Sequence, residues 1–234
     1  MENLPETAQA FLDGKILLIN KPLGWTSFDV VRKIKNLIRT KYSLKKLKVG
    51  HAGTLDPLAS GLLIVCTGKF TKRISELQVQ TKIYTGDITL GGTTPSYDLE
   101  TEIDAKFETN HISDPLIKET TTQFIGEIDQ KPPIFSALKR GGERLYEKAR
   151  RGESFEIEER KVSVHSFDIT AIEMPKVSFE IKCSKGTYIR SIAHDFGAAL
   201  NSGAYLSQLC RTAIGDYQLA DALDVSDFEK QLNT

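Results

Sequence analysis

The sequence predicts an α+β protein in which a largely antiparallel sheet is flanked by helices and loops. Segments with strand periodicity and segments with helical periodicity are mixed along the chain without strict βαβ alternation. The 234 residues, 40% apolar and 26% charged, have ordinary globular proportions and are enough to bury one core or two small ones. Disordered and fibrous classes are therefore excluded.

The first part of the chain alternates strands and helices. A buried strand is followed by a turn and by a helix with Ser27 as its N-cap, in which apolar residues recur at helical spacing. The later strand around Tyr84 shows period-two alternation, which places Tyr84 on the same face as Ile88. The predicted elements are a strand over Lys15–Asn20, a helix from Ser27 to about Thr40, a strand over Leu62–Cys66, a short helix over Lys69–Leu77 and a strand over Lys82–Leu90.

The second part of the chain continues the mixed pattern. Ser113 is a plausible helix cap, and Met174-Pro175 separates two segments that are expected to pair as strands. The predicted elements are helices over Asp114–Phe124, Glu143–Arg151 and Tyr188–Leu200, and strands over Lys161–Ile172, Val177–Cys183 and Leu206–Ile214, the last strand of the chain.

Targeting segments and metal-binding motifs are missing from the sequence. The N-terminus has no basic stretch followed by an apolar run, and the apolar cluster Leu62–Cys66 is far too short to span a bilayer. Cys66, Cys183 and Cys210 lie far apart and form no metal-ligand spacing. We therefore expect a cytoplasmic protein with free thiols, no metal and no membrane contact.

Charge is distributed unevenly, although the formal net charge is zero. No acidic residue interrupts the basic run from Arg32 to Lys48, which starts on the predicted helix and continues into a polar loop. Such a run is either a solvated face or a surface for RNA phosphates, and charge alone leaves both open.

Asp56 stands out because its loop is rich in small residues. Glycines at positions 50, 53 and 61 permit close approach to a ligand, and Pro57 removes one backbone donor. An Asp-Pro turn or a cap would explain a lone aspartate here. Because HExxH, Cys/His and Walker motifs are missing, the functional alternative is a nucleophile or general base.

Two further residues are candidates to act with such a carboxylate. Arg190, one turn into a helix entered from Lys185-Gly186, could supply a fixed guanidinium, or could be an ordinary surface ion-pair residue. Tyr84 could stack on a flipped base, or simply pack in the sheet.

At these residues the sequence resembles the TruB-type tRNA pseudouridine synthases. The segment from Gly50 to Gly61, GHAGTLDPLASG, closely matches the family's signature, and the likeness spans roughly residues 15 to 215. Further matching stretches occur in the same order, at Asn20–Ser27, Lys82–Tyr84, Pro132–Lys139 through Leu145–Arg150, and Cys183–Arg190, with Leu209 and Arg211 near the end.

The resemblance implies a role for each matching residue. Asp56 is expected to be the catalytic aspartate, Tyr84 the tyrosine that stacks on the target uracil, and Arg190 the ion-pair partner of the aspartate. His51 is expected to pack against displaced nucleotides, and the departing loop Thr93–Thr101 receives no substrate role. The remaining residues expected at the substrate are Lys21, Tyr188, Ser136, Lys139 and Arg211.

The implied fold is the pseudouridine synthase fold with a central mixed, largely antiparallel sheet. The implied reaction isomerises uridine 55 in the T loop of tRNA after the base is flipped out, without a cofactor and without a required protein partner. We expect an N-terminal extension over residues 1–14, a catalytic domain over 15–215 and a short tail over 216–234 without a PUA domain.

Three other functions stay open at this point. A guide-directed pseudouridine synthase would act on another RNA, and a non-catalytic RNA chaperone would use the pocket only to open the T loop. A carboxylate glycosidase would need a second acid across the bond, for which the sequence offers no convincing partner.

Overall fold

The computed structural model describes residues 7–136, 139–140, 143–144, 151 and 157–234. It confirms the predicted α+β class with a mixed, largely antiparallel sheet. Two compact units are present: the first contains the chain up to Tyr84 together with Leu209–Thr234, and the second contains Thr85–Gln208.

The first unit contains both ends of the described chain. The helices of this unit are α1 (Ala8–Asp13), α2 (Ser27–Lys41), α3 (Ile74–Gln78) and α6 (Val225–Asn233), and its strands are β1 (Ile16–Lys21), β2 (Val49–His51), β3 (Ala59–Thr67), β4 (Lys82–Leu90), β12 (Ala204–Ile214), β13 (Tyr217–Gln218) and β14 (Leu223–Asp224). The strand order is β14-β1-β3-β12-β4, with β2 paired to β3 and β13 paired to β12. Strands β4 and β12 continue into the second unit.

Strand β3 is buried on both faces, which explains its nearly continuous apolar sequence. Leu63 and Val65 pack with α2 and α6 residues in one cluster, whereas Leu62 and Ile64 pack in another with Leu77 of α3. Strand β3 therefore lies in the middle of the unit, and the loop before it has a rigid support.

The start of α2 differs from the prediction by one residue. Thr26, not Ser27, is the N-cap, and it forms a capping box in which Thr26 Oγ1 accepts from the Asp29 amide and Asp29 accepts from the Thr26 amide. Ser27 is the first helical residue and its hydroxyl bonds to Leu55 instead. Both residues are good caps by type, so only the tertiary contact distinguishes them.

The long strands of the second unit are β7 (Gly126–Gln130), β10 (Arg160–Glu173) and β11 (Lys176–Cys183). The strand order is β12-β4-β11-β10-β7, and β11 and β7 are antiparallel to β10. Phe167 packs between Phe124, Phe179 and Phe196, with ring centroids 5.3–6.2 Å apart. The other elements of this unit are α4 (Asp114–Thr121), α5 (Ile189–Ala199), β5 (Gly92–Thr93), β6 (Ala105–Lys106), β8 (Lys139–Arg140) and β9 (Glu143–Arg144).

Most predicted elements are confirmed, including Ser113 as the cap of α4. The helix predicted over Glu143–Arg151 is wrong at its start, because Glu143–Arg144 pairs with Lys139–Arg140 across a two-residue Gly-Gly connection, the spacing of a hairpin. The predicted segments at 137–138, 141–142 and 145–150 lie outside the described residues. Strand β12 is not the last, since β13 and β14 follow it.

No helix among the described residues is long and apolar enough to cross a membrane. Within the same residues, no group of three His, Cys, Asp or Glu side chains is placed to hold a metal ion.

Candidate active site

Asp56 lies in the loop that connects β2 to β3, and hydrogen bonds hold the residues on both sides of it, Leu55 and Pro57. The Leu55 amide donates to Ser27 Oγ over 2.9 Å, and Ser27 Oγ donates back to the Leu55 carbonyl over 3.2 Å. On the other side, the Gly24 amide donates to the Pro57 carbonyl over 2.8 Å. The half-buried Asp56 thus lies on a loop that hydrogen bonds hold in place, and its role as a reactive carboxylate stays a prediction.

Arg211 lies beneath the same loop and is almost fully buried. Its guanidinium donates to the carbonyls of Leu62 (2.8 Å), Gly53 (3.1 Å) and Thr54 (3.4 Å). The structure therefore places this residue as a support for the loop, and its expected substrate contact stays a prediction.

Gly61 allows β3 and β12 to come this close. It has a φ of +105°, and a Cβ at this position would lie 2.4 Å from the Arg211 carbonyl oxygen. Any side chain here would push β12, and with it the Arg211 guanidinium, away from the Asp56 loop.

Lys21, at the end of β1, is a fully buried lysine. Its ammonium donates to the carbonyls of Pro22 (3.0 Å) and Trp25 (2.6 Å). Burial lowers the pKa of Lys21 to about 8, while the Asp56 carboxylate raises it and the Arg211 charge lowers it further. Lys21, Asp56 and Arg211 thus share one electrostatic environment, and the expected contact of Lys21 with the substrate stays a prediction.

His51 and Tyr84 are the remaining predicted site residues of the first unit. His51 is half-buried at the end of β2, opposite Val65 of β3. Burial lowers the pKa of His51, so the ring is neutral near pH 7 and suited to stacking. Tyr84 is buried in β4 on the face predicted by alternation.

Arg190, in the first turn of α5, is buried in the second unit. Its guanidinium donates to the carbonyls of Ser96 (3.1 Å) and Phe135 (2.9 Å), and Nε lies 3.5 Å from the carboxylate of buried Asp98. The sequence predicts Asp56 as the ionic partner of Arg190, and that pairing stays a prediction.

Sequence reasoning missed Asp98, because the loop Thr93–Thr101 departs from the pattern of the family. In the structure this loop is held by its own polar groups: the hydroxyls of Thr94 and Ser96 donate to the Asp98 carbonyl, and the Glu100 amide donates to the Asp98 carboxylate. The available signal was an acidic residue close to small hydroxyl residues in a loop rich in turns.

Tyr188 caps α5 next to Arg190. Its amide donates to the side-chain oxygen of buried Gln130 (2.7 Å), whose amide nitrogen donates to the Tyr188 carbonyl (3.0 Å). The Arg160 guanidinium lies 4.5 Å from the centre of the Tyr188 ring.

Ser136 and Lys139 are the last two residues expected at the substrate. Ser136 is buried next to Phe135, whose carbonyl accepts a hydrogen bond from Arg190. Lys139 is described only as part of β8, so the substrate roles of both residues stay predictions.

A cavity of about 500 Å³ in the first unit collects positive charge. We name it the basic cavity. Arg39 Nε and Nη2 donate to the carbonyls of Leu44 and Lys45, which holds the loop after α2 against the helix. The cations that line the cavity are Lys35, Arg39, Lys45, Lys46, Lys48, Lys69 and Lys72.

A comparison with protein families places the chain among enzymes that make pseudouridine. The model described as TruB family pseudouridylate synthase (N terminal domain) matches residues 39–189, more than half of the chain. The chain belongs to the TruB family, as the resemblance indicated.

Curated relatives and a solved structure agree with this placement. A protein of Flavobacterium johnsoniae named tRNA pseudouridine synthase B is 61% identical over 227 residues, covering 97% of this chain and 99% of the relative. One of the same name from Phocaeicola vulgatus is 50% identical, covering 95% of both chains. A chain in the structure of an H/ACA RNP bound to a substrate RNA containing 2′-deoxyuridine superposes with a TM-score of 0.68 at 27% identity, covering 94% of this chain and 53% of that chain. The chain thus spans about half the length of this structural relative, and the shared part supports the predicted fold.

Proposed function

We propose that the protein is a stand-alone tRNA pseudouridine synthase that converts uridine 55 of the T loop to pseudouridine, with Asp56 as the catalytic nucleophile. Two relatives named tRNA pseudouridine synthase B match over almost their whole length. The observation that carries the proposal is the rigidly held Asp56 loop, which displays a carboxylate in the unit that also contains the basic cavity.

The reaction needs no chemical group beyond those of the protein and the target nucleoside. The C1′–N1 bond breaks, the base turns while held, and a C1′–C5 bond forms; the C5 proton leaves and N1 gains a proton. Because no net oxidation or group transfer occurs, side chains can carry out the whole conversion. The target base must leave its stack, which costs a few kcal/mol that stacking and phosphate contacts offset.

Each site residue has a proposed role in this reaction. Asp56 attacks the nucleoside, and Arg190 stabilises the carboxylate that acts. Asp98 fixes the Arg190 guanidinium by its charge, since Asp98 lies 3.5 Å from Nε in a buried environment. Tyr84 stacks on the flipped uracil, and the neutral His51 ring fills space among the displaced nucleotides.

The basic cavity is proposed to bind the RNA backbone. Seven cations line it, from α2, from the loop that leads to His51 and from the segment after β3. Strand β2 connects Lys48 to His51 over three residues, about 10 Å of extended chain, so the cavity is within a few nucleotides of the Asp56 loop. The clustering of these cations around one cavity supports RNA contact over a merely solvated face for the basic run.

The decisive experiment measures tritium release from C5-labelled uridine in a T-arm minihelix. Asp56→Asn keeps the size and polarity of the side chain but removes the nucleophile, and we expect turnover to fall on the order of 10³-fold or more while RNA binding persists. Asp216→Asn, at an exposed turn of the same unit, is the matched control and should retain wild-type turnover. Wild-type turnover in Asp56→Asn would refute the proposed mechanism. RNA binding without turnover in the wild type would favour the chaperone alternative.

A second experiment tests the basic cavity. Replacing Lys45, Lys46 and Lys48 with Gln should weaken T-arm binding and reduce the slope of log K against log salt by roughly 2 to 3, because about three phosphate contacts are lost. The control replaces three exposed lysines of the second unit, Lys106, Lys118 and Lys182, with Gln and makes the same change in net charge. Equal slopes for the two triple variants would contradict the assignment.

A further inference from the structure

Phe28 is the most exposed large apolar side chain among the described residues, with 67% of its surface accessible. It lies at the second position of α2, whereas the buried face of the helix consists of Val30, Val31, Ile34 and Ile38. Folding therefore gains little from an aromatic residue at this position. An aromatic ring exposed on a helix that begins beside a candidate reactive loop is available to contact a ligand through its face.

The position of Phe28 relative to Asp56 is fixed by the chain on both sides of the ring. The preceding residue, Ser27, exchanges two hydrogen bonds with Leu55, the neighbour of Asp56. The Gly24 amide bonds to the Pro57 carbonyl, which brings the exposed Leu23 and Leu58 into the same region. Leu23, Phe28 and Leu58 are exposed apolar side chains on the segments that these bonds join, and we call them the apolar patch.

Cations continue from this patch along one face of α2. Arg32, Lys35 and Arg39 follow Phe28 at spacings of four, seven and eleven residues, which lie on one side of a helix. The stripe is about 16 Å long at 1.5 Å per residue. It ends at the basic cavity, which Lys35 and Arg39 line. Single-stranded RNA has a negative backbone and apolar base faces, so it is complementary to an apolar patch followed by a row of cations. An apolar protein partner would not need the cations.

Arg32 is presented for such a contact. Its Nη2 lies 2.9 Å from Asp29 Oδ1, and the Asp29 carboxylate is itself held by Thr26 in the capping box. One contact with a carboxylate oxygen orients the guanidinium but uses few of its five N–H donors. The side chain remains 64% exposed, one turn from Phe28.

We propose that the Phe28 ring is a stacking platform for an unpaired base of the tRNA substrate, that Arg32 binds the adjacent phosphate, and that the strand runs along α2 to the basic cavity. This inference rests on the proposed function and names a binding surface for the same substrate. Phe28 is a binding residue and takes no part in the isomerisation.

The test compares equilibrium binding of a T-arm minihelix by Phe28→Ala, Phe28→Leu and Phe28→Trp. Loss of one base–aromatic stack should weaken binding roughly 5- to 150-fold in Phe28→Ala. Phe28→Leu keeps an apolar side chain but has no π face, so it should stay weak, whereas Phe28→Trp should bind at least as tightly as wild type. Val79→Ala, which trims another exposed apolar residue of the first unit, should leave binding unchanged.

Arg32 is tested by the salt dependence of the same binding. Arg32→Gln should lower the salt slope by about one, while Phe28→Ala should leave the slope unchanged because no phosphate contact is lost. Lys33→Gln is the matched control, because Lys33 is on the same helix but pairs with Glu229 of α6.

The outcomes separate this inference from the proposed function. If wild type releases tritium from the minihelix but Phe28→Ala, or Phe28→Leu, binds it as tightly as wild type, the stacking platform is refuted and the proposed function stands. If Phe28→Ala leaves RNA affinity unchanged but abolishes self-association measured by sedimentation, the patch is a protein interface and the inference is also refuted. If wild type neither binds nor modifies the minihelix, the proposed function itself fails.

Discussion

Lys21 of the first unit shows how burial shifts the chemistry of a single side chain. Lys21 is fully buried, and two carbonyls accept hydrogen bonds from its ammonium group. The hydrogen bonds make its burial tolerable, but burial still disfavours the charged form, so the pKa is lowered to about 8. A buried lysine of this kind lowers native stability at neutral pH relative to alkaline pH.

The expected consequence is a rise in stability between pH 8 and 10.5. In this range native Lys21 has released a proton that the unfolded chain, with a pKa of 10.5, still binds. The unfolded state then binds more protons, so the free energy of unfolding increases with pH. Below pH 8 both states bind the proton and the contribution is constant.

Urea unfolding of wild type and Lys21→Met at pH 7.5, 9 and 10 measures this contribution. The difference in unfolding free energy, wild type minus variant, should increase with pH, by about 3 kcal/mol in all between neutral pH and pH 10.5. Other groups titrate equally in both proteins and cancel. Exposed Lys41→Met should give a difference that is flat with pH, and a flat difference for Lys21→Met would show that its pKa is not lowered.

At the scale of elements, the second unit holds Arg190 by joining a helix to two irregular segments. The first turn of α5 presents the guanidinium, and the carbonyls of Ser96 and Phe135 accept from its two terminal nitrogens. Asp98 adds charge from the same loop as Ser96. Three separate parts of the chain thus restrict one side chain, which is what a preorganised site requires.

Asp98→Asn tests this arrangement. Asn keeps an oxygen that can accept from the Glu100 amide but loses the charge beside Arg190 Nε. We expect kcat for pseudouridine formation to fall roughly 10- to 100-fold, with the Kd for RNA within about twofold of wild type, because misplacement of a catalytic group affects the chemical step.

Glu102→Gln is the control for this prediction, since Glu102 is an exposed acid just beyond the same loop. A purely structural role of Asp98 would change the melting temperature and leave kcat of the folded protein unchanged, and that result would contradict the prediction.

At the scale of the whole molecule, the first unit is assembled from the two ends of the chain. Helix α6 packs Phe228 and Leu232 into the cluster that contains Ile19, Ile34 and Val65. The segment that the sequence assigns to a C-terminal tail is therefore part of the support for β3, and through β3 of the Asp56 loop. The boundaries of the predicted catalytic domain stay a prediction.

Phe228→Ala should destabilise the first unit by about 3–5 kcal/mol, because a fully buried aromatic side chain is removed from a packed cluster. Trp25, the only tryptophan of the sequence, packs against the same cluster, so its fluorescence during urea unfolding reports on this unit. Leu99→Ala, at an exposed site of the second unit, should leave the transition unchanged. A loss below about 1 kcal/mol would mean that α6 does not stabilise the unit.

Local patterns in the sequence predicted the fold class, most strands and helices, and the displayed Asp56 loop. Periodicity, caps and glycines act within a few residues, so strand β4 and helix α4 follow from their own side chains. The signature from Gly50 to Gly61 likewise indicated the family, because the residues that form this loop are consecutive in the sequence.

Tertiary structure alone decided which distant groups meet. Nothing near Arg211 in the sequence indicates that its guanidinium binds the carbonyls of Leu62, Gly53 and Thr54, and nothing near Arg190 indicates Asp98. Those contacts join residues about 90 to 160 positions apart, where burial makes an unpaired charge or carbonyl costly and so selects the partner. The sequence by itself determined which carboxylate is displayed, and the packing of distant segments decided what holds it.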